Sequence, residues 1–141
     1  MIWIIDASVA LRWFIEDEYH PNADKILRRI VDEPHRFAVP ELFCFEVYSI
    51  LQRVHPKALT AFQDGMLPLL QGGVFRQPMT EELAARGQHF VGLGLTGYDA
   101  CYAALAQIVE GKWLTFDDKA HRLIKKEEVS WSMDKKLPPQ W

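Results

Sequence analysis

The sequence predicts an α/β fold built on a mainly parallel central sheet. Short, continuously apolar segments rich in β-branched and aromatic residues alternate along the chain with longer segments of helical pattern. This alternation is typical of βαβ units, in which a helix connects two parallel strands. The 141 residues contain no internal repeat, low-complexity tract or linker-like segment. We therefore expect a single domain over residues 1–141.

The first strand is predicted at residues 2–5, an apolar run typical of a central strand that is buried on both faces. Ser8 is a candidate cap for a helix that follows through residues 9–15. The segment 22–33 carries apolar residues at helical spacing, which predicts an amphipathic second helix.

The middle of the chain predicts a second strand at residues 37–39, with Pro40 at the start of a long apolar helix. Residues 57–71 are expected to be partly helical, although they contain a glycine and a proline, and the two glycines at 72–73 end this segment.

The second half continues the alternation of strands and helices. We expect a strand at 74–78, a helix capped by Thr80, a helix that Thr96 caps and Gly111 ends, a strand at 112–116 and a weaker strand at 128–133. The helix after Thr96 is apolar almost all round, which predicts that it is buried.

The composition is that of an ordinary globular protein, with 49% hydrophobic and 25% charged residues. A net charge of −3 argues against a protein that mainly coats nucleic acid, but not against an enzyme that acts on it. Cys44 and Cys101 lie far apart in the sequence and suit buried thiols in a reducing compartment. No segment resembles a signal peptide or is long enough to span a bilayer, so we expect a cytoplasmic protein.

Four acidic residues occur where the local pattern predicts burial. Asp6 and Asp117 directly follow apolar strands, Glu46 lies within an apolar helix, and Asp99 lies in the first turn of another. In open α/β sheets the active crevice lies outside the carboxyl ends of the strands. A buried carboxylate without a partner is costly, and few basic residues lie nearby in the sequence. Oxygen ligands of this kind suit Mg²⁺, which can activate water for phosphodiester hydrolysis without a covalent enzyme intermediate.

Each acid also has a purely structural interpretation. Asp6 suits a cap of the following helix, and Asp99 suits the positive end of a helix dipole. Asp117 and Asp118 suit a turn after a strand. Glu46 is harder to explain in this way, because its structural alternative requires a salt bridge to an Arg or Lys elsewhere in the chain.

Four segments of the chain resemble the signature segments of the PIN-domain ribonucleases, and in particular the VapC-like toxins of toxin–antitoxin pairs. They are "IIDASVAL", the glutamate within "PELFCFEVYSIL", "LTGYDACYAALA" and "WLTFDD". The resemblance covers essentially the whole chain. It implies a three-layer α/β/α sandwich with a mostly parallel sheet, and an endoribonuclease that depends on Mg²⁺ or Mn²⁺.

The resemblance also implies roles for individual residues. The acidic metal-binding and catalytic residues would be Asp6, Glu46, Asp99 and Asp117. The neighbours that would support them are Ser8 and Thr115, through hydrogen bonds, and Asp118, as an accessory acid or a helix cap. The candidates for RNA binding are Arg12, Lys119 and Arg122, each with a solvated helix face as the alternative.

Members of the family usually form homodimers and are silenced by a cognate antitoxin that covers the site, so we expect both partners. Candidates for an exposed apolar contact surface are Trp13, Phe14, Phe43 and Phe45, with burial in the core as the alternative for each.

Three other functions remain open at this point. A phospho-receiver domain also gathers acids around Mg²⁺, but it requires an Asp after the third strand, and "VFRQP" supplies none. A catalytically degenerate PIN-like module that only binds RNA or protein is the second. The third is DNA as the substrate, since no residue is known to contact the 2′-hydroxyl.

Overall fold

A five-stranded parallel sheet forms the centre of the molecule in the computed structural model, which describes all residues from 1 to 141. Its strands are β1 (Trp3–Ile5), β2 (Phe37–Pro40), β3 (Phe75–Gln77), β4 (Lys112–Thr115) and β5 (Ser130–Ser132). Their order across the sheet is β3-β2-β1-β4-β5, and every neighbouring pair is parallel. The predicted α/β class and all of its predicted strands are confirmed.

Eight α-helices connect the strands. They are α1 (Ala7–Phe14), α2 (Pro21–Asp32), α3 (Leu42–Val54), α4 (Ala58–Ala61), α5 (Leu67–Gln71), α6 (Glu81–Gly92), α7 (Gly97–Ile108) and α8 (Asp118–Leu123). A π-helical turn at Phe62–Met66 joins α4 to α5, so the expected partly helical segment 57–71 is present.

The strand order places the helices in two outer layers. The chain moves outward from β1 to β2 and β3, and then returns across the sheet to β4 and β5. Because such crossovers are right-handed, this reversal puts α1 to α5 on one face and α6 to α8 on the other. The result is an α/β/α sandwich with its topological switch point between β1 and β4.

The core surrounds the two central strands. All residues of β1 are buried, as are Trp113, Leu114 and Thr115 in β4. Helix α7 is buried continuously from Ala100 to Ala106 and packs across β1, β2 and β4. These elements are mostly apolar, as expected where both faces of a parallel sheet are covered, so the region around the switch point is closely packed.

Two predicted helix starts are wrong. Helix α1 begins at Ala7, and its cap is Asp6, whose extended backbone (φ −116°, ψ 179°) lets its carboxylate accept the N–H of Ser8. Ser8 therefore lies inside the helix. Pro40 is the last residue of β2, and α3 begins two residues later at Leu42.

The chain returns from α7 to β4 through Gly111, which follows the end of the helix by three residues. A Cβ at this position would lie 2.2 Å from the carbonyl oxygen of Ile2, so only glycine fits beside β1. At the carboxyl terminus, the Trp141 ring packs 5.4 Å from that of Trp3 and closes one end of the core. None of the helices combines the length and apolar character needed to cross a membrane.

Candidate active site

Asp6 is buried at the switch point, with 6% of its surface exposed, and its carboxylate is saturated with hydrogen bonds. Its Oδ1 accepts from the N–H of Ser8 at 3.0 Å and from the Ser8 hydroxyl. Its Oδ2 accepts from Trp113 Nε1 at 2.9 Å and from the Thr115 hydroxyl at 2.5 Å. A carboxylate offers about four acceptor positions, so these donors use them all. The same side chain caps α1, so the structural interpretation of Asp6 is also correct.

Two hydroxyl groups connect Asp6 to the chain after β4. The N–H of Phe116 donates to Ser8 Oγ at 3.1 Å, and the N–H of Asp117 donates to Thr115 Oγ1 at 3.0 Å. Because each hydroxyl oxygen accepts from the backbone, its own hydrogen is free to donate to Asp6. Ser8 and Thr115 thus hold the β1 and β4 carboxyl ends together through one buried charge.

Glu46 projects from α3, half-buried, and its Oε1 accepts from the Tyr102 hydroxyl at 2.6 Å. None of the ion pairs in the molecule includes Glu46, so the expected structural alternative, a salt bridge, is absent. The structure therefore offers a hydrogen bond, but no positive charge, for this carboxylate.

Asp99 and Asp117 stand at helix starts. The cap of α7 is the Thr96 hydroxyl, which accepts the N–H of Asp99 at 3.1 Å, and Asp99 lies in the first turn of α7, as its structural interpretation requires. Asp117 caps α8 through Oδ1, which accepts the N–H of Ala120 at 3.0 Å, and the residue is exposed. Asp118 is the first residue of α8, so its expected alternative as a helix cap is wrong.

The electrostatics join the four acids into one cluster. Burial raises the pKa of Asp6, and the donors around it lower that pKa only in part. The pKa of Glu46 is raised by burial first, and further by the charges of Asp6 and Asp99. The pKa of Asp99 is raised by burial, and then by Asp117 and Asp6. Glu46 and Asp99 thus lie within electrostatic range of each other and of Asp6, and Asp99 also lies within range of Asp117.

The donor set at this edge consists of carboxylate and hydroxyl oxygens, which suit Mg²⁺ or Mn²⁺ and not zinc. No three Asp, Glu, His or Cys residues converge closely enough to form a preformed metal-ligand group. Mg²⁺ keeps several waters and needs only one or two direct carboxylate ligands, so the cluster fits a hydrated ion. Asp99 and Asp117 are more open to such an ion than Asp6, whose acceptor positions are already used.

Two aromatic residues of the site were missed from the sequence, Tyr102 and Trp113. Both are buried, their rings stack at 5.7 Å with an interplanar angle of 16°, and each donates to a different acid. Their residue type could have identified them, because a buried Tyr or Trp generally requires a hydrogen-bond partner for its polar atom. Tyr102 also follows Asp99 by three residues, which places it on the same face of α7.

The three basic candidates lie in two places. Arg12 donates to the Ser8 carbonyl oxygen at 2.7 Å, and its guanidinium lies 4.0 Å from the centre of the Phe116 ring, so it contacts a hydrogen-bond partner of Asp6 and the residue that precedes Asp117. Lys119 and Arg122 are exposed on α8, where Arg122 makes only a loose 3.7 Å contact with Asp118.

Of the four candidates for an apolar contact surface, only Phe45 is exposed, at 69%. Phe43 is buried, and Trp13 and Phe14 pack against the core. Phe45 and Tyr98 border a groove of about 550 Å³ that also includes Glu46. An exposed apolar surface at Phe45 therefore adjoins Glu46, while the alternative of burial in the core holds for Trp13, Phe14 and Phe43.

Comparison with known proteins places these features in a family. The family model described as PIN domain matches residues 3–126, most of the chain. Comparison with curated proteins by sequence finds no match.

Solved structures similar to this chain share its fold at low sequence identity. FitAcB from Neisseria gonorrhoeae has a TM-score of 0.73 at 14% identity, covering 96% of this chain and 100% of that one. A toxin–antitoxin complex from Klebsiella pneumoniae has a TM-score of 0.66 at 14% identity, covering 94% and 98%. VapC20 of Mycobacterium tuberculosis, a sarcin–ricin loop cleaving toxin, has a TM-score of 0.63 at 15% identity, covering 85% and 93%. Given the family-model match over residues 3–126 and this shared fold, the chain belongs to the PIN domain family.

Proposed function

We propose that the protein is a divalent-metal-dependent endoribonuclease and the toxin component of a toxin–antitoxin pair. PIN domains are generally nucleases that use divalent metals, and two of the similar structures are a toxin–antitoxin complex and an RNA-cleaving toxin. The observation that carries the proposal is the cluster of Asp6, Glu46, Asp99 and Asp117. The charges of Asp6 and Asp99 raise the pKa of Glu46, those of Asp117 and Asp6 raise the pKa of Asp99, and none of the four acids takes part in an ion pair, an arrangement that a bound cation would stabilise.

The residues of the cluster divide into two roles. Glu46, Asp99 and Asp117 would hold the ion and its waters, because their carboxylates are half-buried or exposed. Asp6 would contribute without being one of these ligands. It would add negative charge to the site and hold the chain after β4 in place through Ser8 and Thr115. Mg²⁺ or Mn²⁺, when bound, supplies a Lewis acid that activates water and stabilises charge on the phosphate.

Arg12 is the residue of this chain best placed to bind the scissile phosphate. Its guanidinium is held against the Ser8 carbonyl and the Phe116 ring, next to the residues that follow Asp6 and precede Asp117, and no carboxylate pairs with it. A guanidinium orients phosphate oxygens through several N–H groups at once. Substrate would thus lie between Arg12 and the open carboxylates.

Cleavage of a panel of structured RNAs by the purified protein tests the proposal. We expect cleavage with Mg²⁺ or Mn²⁺ and none with chelator, and we expect Asp99→Asn to lose activity by at least about a hundredfold. Asp32→Asn, an exposed aspartate at the end of α2, is the matched control and should cleave like the wild type. Cleavage in chelator, or full activity of Asp99→Asn, contradicts the mechanism. Cleavage of DNA but not of RNA contradicts the proposal that RNA is the substrate. Binding of RNA without any cleavage indicates a catalytically degenerate module.

The apolar groove beside Glu46 is the surface we propose for the antitoxin. Phe45 and Tyr98, the latter 67% exposed, would be buried by a partner that covers the acid cluster at the same time. Phe45→Ser should weaken inhibition by a co-expressed antitoxin while leaving RNA cleavage intact. The homodimer that we also propose is tested by measuring the mass in solution with light scattering.

A further inference from the structure

A second groove runs along the outer edge of the sheet, beside β5. Its volume is about 850 Å³, and Trp131 is the only hydrophobic residue among those that line it. Its basic residues are Lys112, Arg122, Lys125, Lys135 and Lys136. Three acidic residues also line the groove, fewer than the five basic ones. The groove is therefore positively charged, although the whole chain carries a net charge of −3.

The positive charges in this groove are not compensated by ion pairs. Elsewhere on the surface, arginines such as Arg29, Arg36 and Arg86 pair with glutamates at 2.9 to 3.2 Å. None of the four lysines of the groove takes part in an ion pair, and Arg122 has only its loose contact with Asp118. Unpaired cations gathered in a concave surface attract a polyanion.

His121 lies among the charged residues that line the groove. Its Nδ1 lies 2.8 Å from Ser130 Oγ. Burial is the largest cause that lowers its pKa; Asp118 raises that pKa, and Lys125 and Lys112 lower it further. A neutral imidazole beside a serine hydroxyl leaves the lysines as the groove's dominant charges.

One end of the groove lies at the carboxyl edge of the sheet, where Asp118 lines it directly after Asp117. In the sheet, Ser132 lies opposite Thr115, the last residue of β4, so this end of the groove is at the carboxyl edge beside Asp117 and Asp118. Ser130 and Lys112 mark the other end, at the amino edge of the strands. A chain that follows the groove therefore passes from the acids along β5.

We propose that this groove binds the sugar–phosphate backbone of RNA next to the bond that is cut, an inference that rests on the proposed function. A protein partner would require a different surface, because interface centres are enriched in aromatic residues and depleted of lysine. Lysine ammonium groups on flexible stems suit successive phosphates, which they contact as point charges without reading base sequence. The groove thus contributes affinity for RNA, and the acid cluster contributes the chemistry.

Binding of a fluorescently labelled single-stranded RNA, measured by anisotropy in chelator, tests the groove without cleavage. The double variant Lys125→Gln/Lys136→Gln should bind roughly tenfold more weakly, with a log–log salt dependence shallower by roughly 1.4. Lys25→Gln/Lys57→Gln, which removes two exposed unpaired lysines elsewhere, should bind like the wild type. Lys125→Arg/Lys136→Arg should restore affinity, which separates lost charge from misfolding.

Equal RNA binding by the groove variant and the wild type overturns the inference, whether or not the wild type cleaves RNA. The same holds if the groove variant loses affinity for polyglutamate but not for RNA, because the groove would then suit an acidic protein. If binding depends on the groove but the wild type cleaves no RNA under any metal, the inference stands and the proposed nuclease activity fails.

Discussion

At the scale of single residues, the site depends on one buried carboxylate that has no counter-charge. Burial disfavours the ionised form of Asp6, and four hydrogen-bond donors offset that penalty only in part. The donors come from both sides of the switch point, so the same bonds that stabilise Asp6 also position Asp117. A change in any one donor should therefore affect both stability and catalysis.

The hydrogen bonds of the Thr115 hydroxyl can be tested by substitution. Thr115→Val keeps the buried shape but removes the hydroxyl between Asp6 and the N–H of Asp117, which leaves both groups short of a partner. We expect the free energy of unfolding in urea to fall by about 2 kcal/mol, with a loss of cleavage activity. Thr115→Ser retains the hydroxyl and is the control; if it is as damaging as the valine, packing of the methyl group and not the hydrogen bonds is responsible.

Tyr102 supports a prediction about pH. Its hydroxyl lowers the pKa of Glu46, so Tyr102→Phe should raise that pKa above its already elevated value. More of Glu46 is then protonated at any pH near the transition, and Mn²⁺ binding measured by calorimetry should weaken more at pH 6 than at pH 8. An equal loss at both pH values would show that the hydroxyl acts in some other way.

At the scale of elements, each acid is presented by the end of a strand or by a helix. Asp6 and Asp117 follow β1 and β4, while Asp99 depends on the start of α7 and Glu46 on the middle of α3. The position of the Asp99 carboxylate thus depends on the Thr96 cap. A second threonine cap, Thr80 on α6, accepts a backbone N–H at the same distance and is separate in sequence from the four acids.

These two caps form a matched pair of variants. Thr96→Ala and Thr80→Ala each remove a hydroxyl that accepts a backbone N–H at 3.1 Å, and each should cost about 1 kcal/mol of unfolding free energy. Only Thr96→Ala should also reduce RNA cleavage, because it frees the first turn of α7 that carries Asp99. Equal activity of the two variants would mean that the cap does not position Asp99.

At the scale of the whole molecule, the acid cluster makes stability depend on pH and on divalent metal. The pKa values of Asp6, Glu46 and Asp99 are raised by folding, so the folded chain binds protons more tightly than the unfolded chain. Stability in chelator should therefore fall as pH rises through the window above the ordinary carboxyl pKa. His121 acts in the opposite sense below pH 6.5, since its pKa is lowered by folding.

Asp99→Asn isolates the contribution of the cluster from that of His121. In chelator at pH 7.5 the variant should have a higher Tm than the wild type, and the difference should shrink as the pH approaches 4. Mg²⁺ should raise the Tm of the wild type more than that of the variant. A variant that is less stable than the wild type at pH 7.5 in chelator would contradict a strained like-charge cluster.

The sequence was sufficient for the alternation of elements and for the four acids. Buried parallel strands are apolar without interruption, so β1, β2 and β4 were identifiable, and an acid at the end of such a run stands out. The sequence was not sufficient to choose between Asp6 and Ser8 as the helix cap. Both residue types favour that position, and only the backbone conformation at Asp6 distinguishes them.

The long-range contacts that hold the Glu46 and Asp6 carboxylates could not be predicted from local pattern. Tyr102 reaches Glu46 across 56 residues of sequence and Trp113 reaches Asp6 across 107, and periodicity carries no information about such distant pairs. The same is true of the groove beside β5, whose lysines come from β4, from the turn after α8 and from the segment after β5. Residue type and order along the chain thus determined the elements and the acids. The order of the strands across the sheet decided which of these groups meet, because parallel strands bring their carboxyl ends to one edge whatever their separation in sequence.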